Sequence, residues 1–207
     1  MKVLLLNGSP HQNGCTYTAL SHIASVLEAE GIGAEIVWIG PKPIRGCFAC
    51  GGCSGTEKCL FDDDIVNDIA DKAIAADGLI IGSPVYYAGM NGTLSSLLDR
   101  LFFSAGKHFR YKPAAAVVSA RRAGTTTALD EIEKYFTISE MPVVSSSYWT
   151  MVHGAKPEDV VKDREGLQVM ENLARNMAWM LRCIEAGRNA GILPPENTYT
   201  ERTNFIR

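Results

Sequence analysis

Residues 46 to 59 read GCFACGGCSGTEKC and hold four of the six cysteines in a chain of 207 residues. Cys47, Cys50, Cys53 and Cys59 follow the spacing CxxCxxCxxxxxC. Three-residue steps on a loop can turn successive thiolates toward one centre. Iron-sulfur clusters take four such ligands, and a compact CxxCxxC run with a fourth cysteine nearby is the pattern of 4Fe-4S sites. Four soft ligands also suit zinc, although zinc sites more often pair two CxxC units across a longer gap. Free thiols, packed as small hydrophobes or acting as redox groups, are the third reading. Gly51, Gly52 and Ser54 leave room for a bulky group, and Arg45 and Lys58 offer positive charge against the net negative charge of a cluster. Cys15 and Cys183 have no partner by spacing and read as packing residues, Cys15 at the border of another loop.

That other loop, NGSPHQNGCTYT, is the first of three with binding chemistry. Gly8 and Gly14 permit a tight backbone path, and Ser9, Pro10, Asn13, Cys15, Thr16 and Thr18 lead into a helix start. Free N–H groups and the positive end of a helix dipole suit a phosphate without Lys or Arg. The lysine of a nucleoside-triphosphate loop and the GxGxxG dinucleotide fingerprint are both absent, so a monophosphate fits better. The second loop, GSPVYYAGMNGTL, presents Pro84, Val85, Tyr86, Tyr87, Asn91 and Gly92, a stiffened turn with flat amphipathic rings that suits a planar ligand. The third, SARRAGTTT, carries Ser119, Arg121, Arg122 and Gly124. Each loop also has a plainer reading, as a capped turn, buried tyrosines or solvated arginines.

The elements that must position these loops alternate. KVLLLNG, AEIVWI, GLIIGSPVYY, PAAAVVSA and MPVVSSS read as five strands, the first a continuous aliphatic run expected of a strand buried on both faces. Between them lie helices. One carries Leu20, Ile23, Ala24 and Leu27 on one side, and another follows the acidic run Asp62 to Asp64, which reads as a helix cap. A third starts near Asn91, a fourth spans about Thr126 to Thr137, and a long last helix carries Met170, Ala174, Met177 and Leu181. The pattern predicts an α/β fold: a doubly wound, five-stranded parallel sheet with helices on both faces, ligand beyond the carboxyl ends of the strands. One domain is expected over 1–190, with a tail over 191–207.

Composition narrows the partners. Charged residues make up 21% and the formal net charge is −3, so no basic field points to nucleic acid and no acidic face to a docking carrier. VLLL is far shorter than a membrane span, no basic leader precedes it, and clustered cysteines in a reducing compartment favour redox or metal chemistry over disulfides; a cytoplasmic location is expected. No Walker lysine or GxSxG elbow supports a kinase or hydrolase.

Together LLLNGSPHQNGCTYT, ADGLIIGSPVYYAGMNGTLSSLLDR and CFACGGCSGTEKCLFDDD resemble the flavodoxin-like NAD(P)H-dependent FMN reductases, and among them the iron-sulfur flavoproteins. The resemblance spans roughly residues 1 to 150. It implies noncovalent FMN, with phosphate in the Ser9–Thr16 loop, the ring beside Pro84–Gly92, and a contribution from Ser119–Gly124. It further implies a homodimer or homotetramer, and electrons passing from NAD(P)H through FMN to a small acceptor. With a 4Fe-4S cluster on the cysteine loop, a ferredoxin-type donor becomes the alternative. No residue is singled out as general acid or nucleophile. Trp149 and His153 lie in YFTISEMPVVSSSYWTMVHG, which also resembles the group, and read as core packing or oligomer contacts ahead of ligand contacts.

Overall fold

The computed structural model describes residues 1–201 and 203; residues 202 and 204–207, the end of the expected tail, lie outside the described residues. β1 (Lys2–Asn7) is the axis of the fold, paired in parallel with β2 (Gly33–Trp38) on one side and β3 (Gly78–Pro84) on the other. Val3 to Leu6 are all at 0% exposure, and each such side chain contributes about 1.5–3 kcal/mol of burial. Period-two alternation divides them: Leu4 and Leu6 face one core, Val3 and Leu5 the other. β4 (Ala114–Ala120) pairs with β3 and with the short β5 (Met151–His153), giving the parallel order β2-β1-β3-β4-β5. That order is flavodoxin-like, and its switch point lies between β1 and β3.

α1 (Cys15–Ala29) and α6 (Arg164–Asn189) cover one face, through Leu20, Ile23, Leu27, Met170, Ala174 and Met177. α2 (Val66–Ala75), α3 (Gly92–Ala105) and α4 (Thr125–Ile138) cover the other, through Ile69, Leu94, Leu97, Leu98, Leu101, Ile132 and Phe136. α5 (Pro157–Val160) is one turn after β5. Asn91 caps α3, its Oδ1 accepting from the N–H groups of Thr93 and Leu94 at 2.9 and 3.2 Å.

The fifth strand is not where its residues suggested. MPVVSSS, expected as a strand, contributes one isolated bridge, Val143 to Ala114, and the ladder resumes only at Met151. Pro142 has no N–H to donate, and the serines are claimed by α6. Ser146 Oγ donates to Val169 O at 2.6 Å, and the Asn176 amide donates to Ser145 O at 2.8 Å. Cys183, expected as a packing residue, is exposed on α6, and Trp149 and His153 are exposed rather than packed in the core.

Candidate functional site: a cavity at the carboxyl edge and a cysteine loop

At the carboxyl ends of β1, β3, β4 and β5, four loops enclose a cavity of about 780 Å³, within the range of cofactor sites. Of the residues expected to bind cofactor, Ser9, Pro10, Asn13, Cys15, Thr16, Pro84, Val85, Tyr86, Ser119 and Arg121 line it. Tyr87, Asn91, Gly92 and Gly124 do not. Asn91 is spent on its cap, Gly92 borders a neighbouring cavity, and Gly124 holds a turn. Tyr87 stands at 108% exposure and borders the same neighbouring cavity as Gly92. Thr18 is also turned away, its hydroxyl donating to Gly14 O at 3.2 Å.

The loop after β1 is shaped by its own side chains. Asn7 Oδ1 accepts from the Ser9 N–H at 3.1 Å, the Asn7 amide donates to Gln12 O at 2.9 Å, and Ser9 Oγ accepts from the His11 N–H at 3.1 Å. Gly8 lies against β3, where an added Cβ would stand 2.7 Å from Gly82 O and 2.6 Å from Leu94 Cδ2, so no larger residue fits without displacement. α1 then begins at Gly14 with no side-chain cap, leaving its N-terminal amides open toward the cavity. The Thr16 and Ser119 hydroxyls share a hydrogen bond of 2.9 Å, joining the first loop to β4. Burial pushes the Cys15 thiol up, and Asp159 and Glu158 add to this against the pull of its own backbone. Cys15 thus borders the anion-suited edge as a neutral thiol, its Sγ 3.6 Å from Gly154 O.

Sequence reasoning missed two walls of this cavity. Trp38, the last residue of β2, donates its indole N–H to Ser9 O at 2.7 Å. Gly154, Ala155, Lys156 and Pro157 close the far side after β5. The residues that follow each strand were the signal; misplacing β5 hid this segment.

The four cysteines of the 46–59 loop line a separate, small cavity of about 20 Å³, together with Arg100, Phe103 and Ser104 of α3. Cys59 is fixed. Its N–H donates to Asn67 Oδ1 at 2.9 Å, the Asn67 amide returns a bond to Cys59 O at 3.0 Å, and Arg100 Nε donates to its Sγ at 3.2 Å. Arg100 is 2% exposed and also donates to Phe61 O at 2.8 Å, Arg45 O at 3.3 Å and the Asp64 carboxylate. Burial works against its charge, yet its bonds to Asp64 and Cys59 raise the guanidinium above its ordinary range. Asp64 also accepts from the Val66 N–H at 3.1 Å, so it both opens α2 and serves as this arginine's counter-ion. Cys47 and Cys50 are exposed, on a stretch with positive φ at Ala49, Gly51, Gly55 and Glu57. Among the described residues no three His, Cys, Asp or Glu side chains are gathered to hold one metal ion. The donor set of four thiols around one cavity fits a cluster, whose thiolates each meet a different iron, better than a single zinc. Two of the four thiols lining this cavity, Cys47 and Cys50, stand on its exposed side.

No helix among the described residues is long and apolar enough to cross a membrane. A crystal structure of RosB superposes on this fold with a TM-score of 0.71 at 16% identity, over 100% of this chain and 92% of that one. A flavodoxin from the domain Archaea gives 0.61 at 15% identity, over 88% and 99%. An iron-sulfur flavoprotein of Methanocaldococcus jannaschii is 33% identical over 193 residues, covering 89% of this chain and 100% of the relative. A second, from Methanosarcina thermophila, is 28% identical over 91% of this chain and 100% of the relative. Residues 1–156 match the model of the NADPH-dependent FMN reductases. The chain belongs to the NADPH-dependent FMN reductase family, standing close to the iron-sulfur flavoproteins, and is an FMN-dependent flavin oxidoreductase that draws on NAD(P)H.

Proposed function

We propose that the 780 Å³ cavity is the FMN site and that the protein passes electrons from NAD(P)H through FMN to a small acceptor such as a free flavin, a quinone, or an azo or nitro compound. The observation that carries this reading is the uncapped start of α1 facing a cavity whose other walls include the flat or apolar side chains of Trp38, Pro84, Val85, Tyr86 and Pro157. The amides of the Asn13–Thr16 segment hold the phosphate, and Ser9 and the Thr16–Ser119 hydroxyl pair supply neutral donors. Pro84, Val85 and Tyr86 support the ring, while Trp38 and Pro157 help exclude water. Arg121 and Lys156 bring positive charge to the rim, where a dinucleotide donor or an anionic ring would meet it. Bound FMN supplies hydride acceptance and one- or two-electron release; the chain supplies binding and orientation.

A second reading has its own support. Four thiols on one cavity, and relatives named iron-sulfur flavoproteins, favour a 4Fe-4S cluster held by Cys47, Cys50, Cys53 and Cys59, with electrons arriving from a ferredoxin-type donor. The protein acts in the cytoplasm as a homodimer or homotetramer, with neither nucleic acid nor membrane as partner. Anaerobic purification, FMN reconstitution and iron and sulfide assays, followed by rapid mixing with NADH or NADPH, test both readings. Yellow protein bleached by either nucleotide is the expected result. Flavin that only a reduced ferredoxin-type donor bleaches, with four irons per chain, selects the second reading. Protein that stays colourless rejects both.

A further inference from the structure

We propose that Glu131 is a positioning residue for the flavin edge: its carboxylate holds the turn after β3 in a backbone conformation that the turn's own residues disfavour. The role rests on reading the large cavity as the FMN site. Tyr86 and Gly89 exchange two backbone hydrogen bonds of 2.9 Å, closing a two-residue turn over Tyr87 and Ala88. Both central residues are left-handed, with φ of 51° and 61°. Such a turn prefers Asn-Gly, because side chains with a Cβ crowd the backbone at positive φ. Tyr87 gains nothing in return, since its ring is fully exposed.

What holds the turn comes from α4. Glu131 Oε2 accepts from the Met90 N–H at 2.7 Å. The same carboxylate lies flat on Gly89, where an added Cβ would stand 2.9 Å from Oε2. Gly124, the N-cap of α4 at φ 88°, packs so closely that an added Cβ would stand 2.7 Å from Ala88 Cα. The start of one helix therefore braces the turn from Ala88 to Met90. Tyr86, the residue before the turn, lines both the FMN cavity and a second cavity of about 580 Å³ bordered by Glu131. A slackened turn moves the ring support directly.

The test compares wild type, Glu131→Gln, Glu131→Ala and the double variant Glu131→Ala/Ala88→Gly. FMN affinity is read by flavin fluorescence, and Met90 amide exchange is read in the protein without FMN. Loss of a charged hydrogen bond predicts that Glu131→Ala weakens FMN about tenfold and speeds Met90 exchange by a similar factor. Glu131→Gln, whose amide oxygen still accepts from Met90, stays within about threefold of wild type. Ala88→Gly restores most of the lost affinity in the double variant, because glycine adopts positive φ freely; a merely structural Glu131 would not be rescued there. Unchanged Met90 exchange with intact FMN binding overturns the brace, and so does lost affinity that Ala88→Gly leaves lost. Wild-type protein that retains no FMN overturns the flavin reading, and with it the role of Glu131, while the exchange arm still reports whether the turn is braced.

Discussion

At the carboxyl edge of the sheet, the loop after β1 is tied to Trp38, to Ser119 and to itself by hydrogen bonds that need no ligand. The 46–59 loop has the opposite construction. One end, at Cys59, is locked by Asn67 and Arg100, while the Cys47–Cys53 arm makes no side-chain hydrogen bond of this kind among the described residues and rests on the Phe48 ring against Phe61 and on local turns such as Ser54 N–H to Gly51 O. A preformed site pays little ordering entropy on binding, whereas a half-free loop takes its final shape from what it binds. On the proposed reading, the first region suits a cofactor that enters and stays in one pose, and the second a group assembled around one fixed thiol.

Arg100→Met gives the largest break in this contrast. It strips Asp64 of its counter-ion and leaves the Phe61 and Arg45 carbonyls without donors, a loss of about 3–5 kcal/mol in urea unfolding. FMN affinity should hold, because the arginine does not line the proposed flavin cavity. Adding Asp64→Asn should recover part of the stability, as expected for coupled neighbours. Gly8→Ala tests the reverse. Its methyl must displace Gly82 O and Leu94, at about 1–3 kcal/mol, and FMN should bind more than tenfold weaker while iron loading of the cysteine loop is unaffected. Thr16→Val is gentler: losing one hydroxyl partner costs about 0.5–1.5 kcal/mol, read as roughly a two- to tenfold rise in FMN Kd.

The smallest effect concerns the frame from which the cysteine loop departs. Glu35 on β2 pairs with Lys2 of β1 and Lys72 of α2, and their hydrogen bonds, Lys2 first, hold its carboxyl below the usual range. A carboxyl lowered on folding adds stability that is complete above the ordinary carboxylate range and is lost as pH falls through the lowered value. Glu35→Gln should therefore lower the urea midpoint slightly near neutral pH and flatten a slight part of its acid-side decline, the two proteins converging as pH falls through the lowered value.

Much of the scaffold was legible because aliphatic runs and helical periodicity act locally. Val3–Leu6, the Leu94–Leu101 face and a helix start near Asn91 needed only neighbours in sequence to be read, while Asn91 itself, expected to bind cofactor, is the cap. Arg100 was invisible for the converse reason. In LLDR it looks like a solvated helix charge, and only the fold brings Asp64, Cys59 and two loop carbonyls around it. Trp38 and Lys156 were hidden in the same way, since their cavity is made by strands far apart in the chain. MPVVSSS misled because strand-forming residues were outbid by hydrogen bonds from α6, a tertiary competition that propensity does not register. Glu131 reads as an ordinary helix carboxylate until the left-handed turn it supports is seen.

A crystal structure of the FMN complex would decide the matter most directly. The phosphate is predicted to accept hydrogen bonds from the amides at the start of α1, beside Thr16, with the ring edge against Pro84 to Tyr86. A phosphate seated instead on Arg121 and Lys156, with the α1 amides open to water, would contradict this assignment.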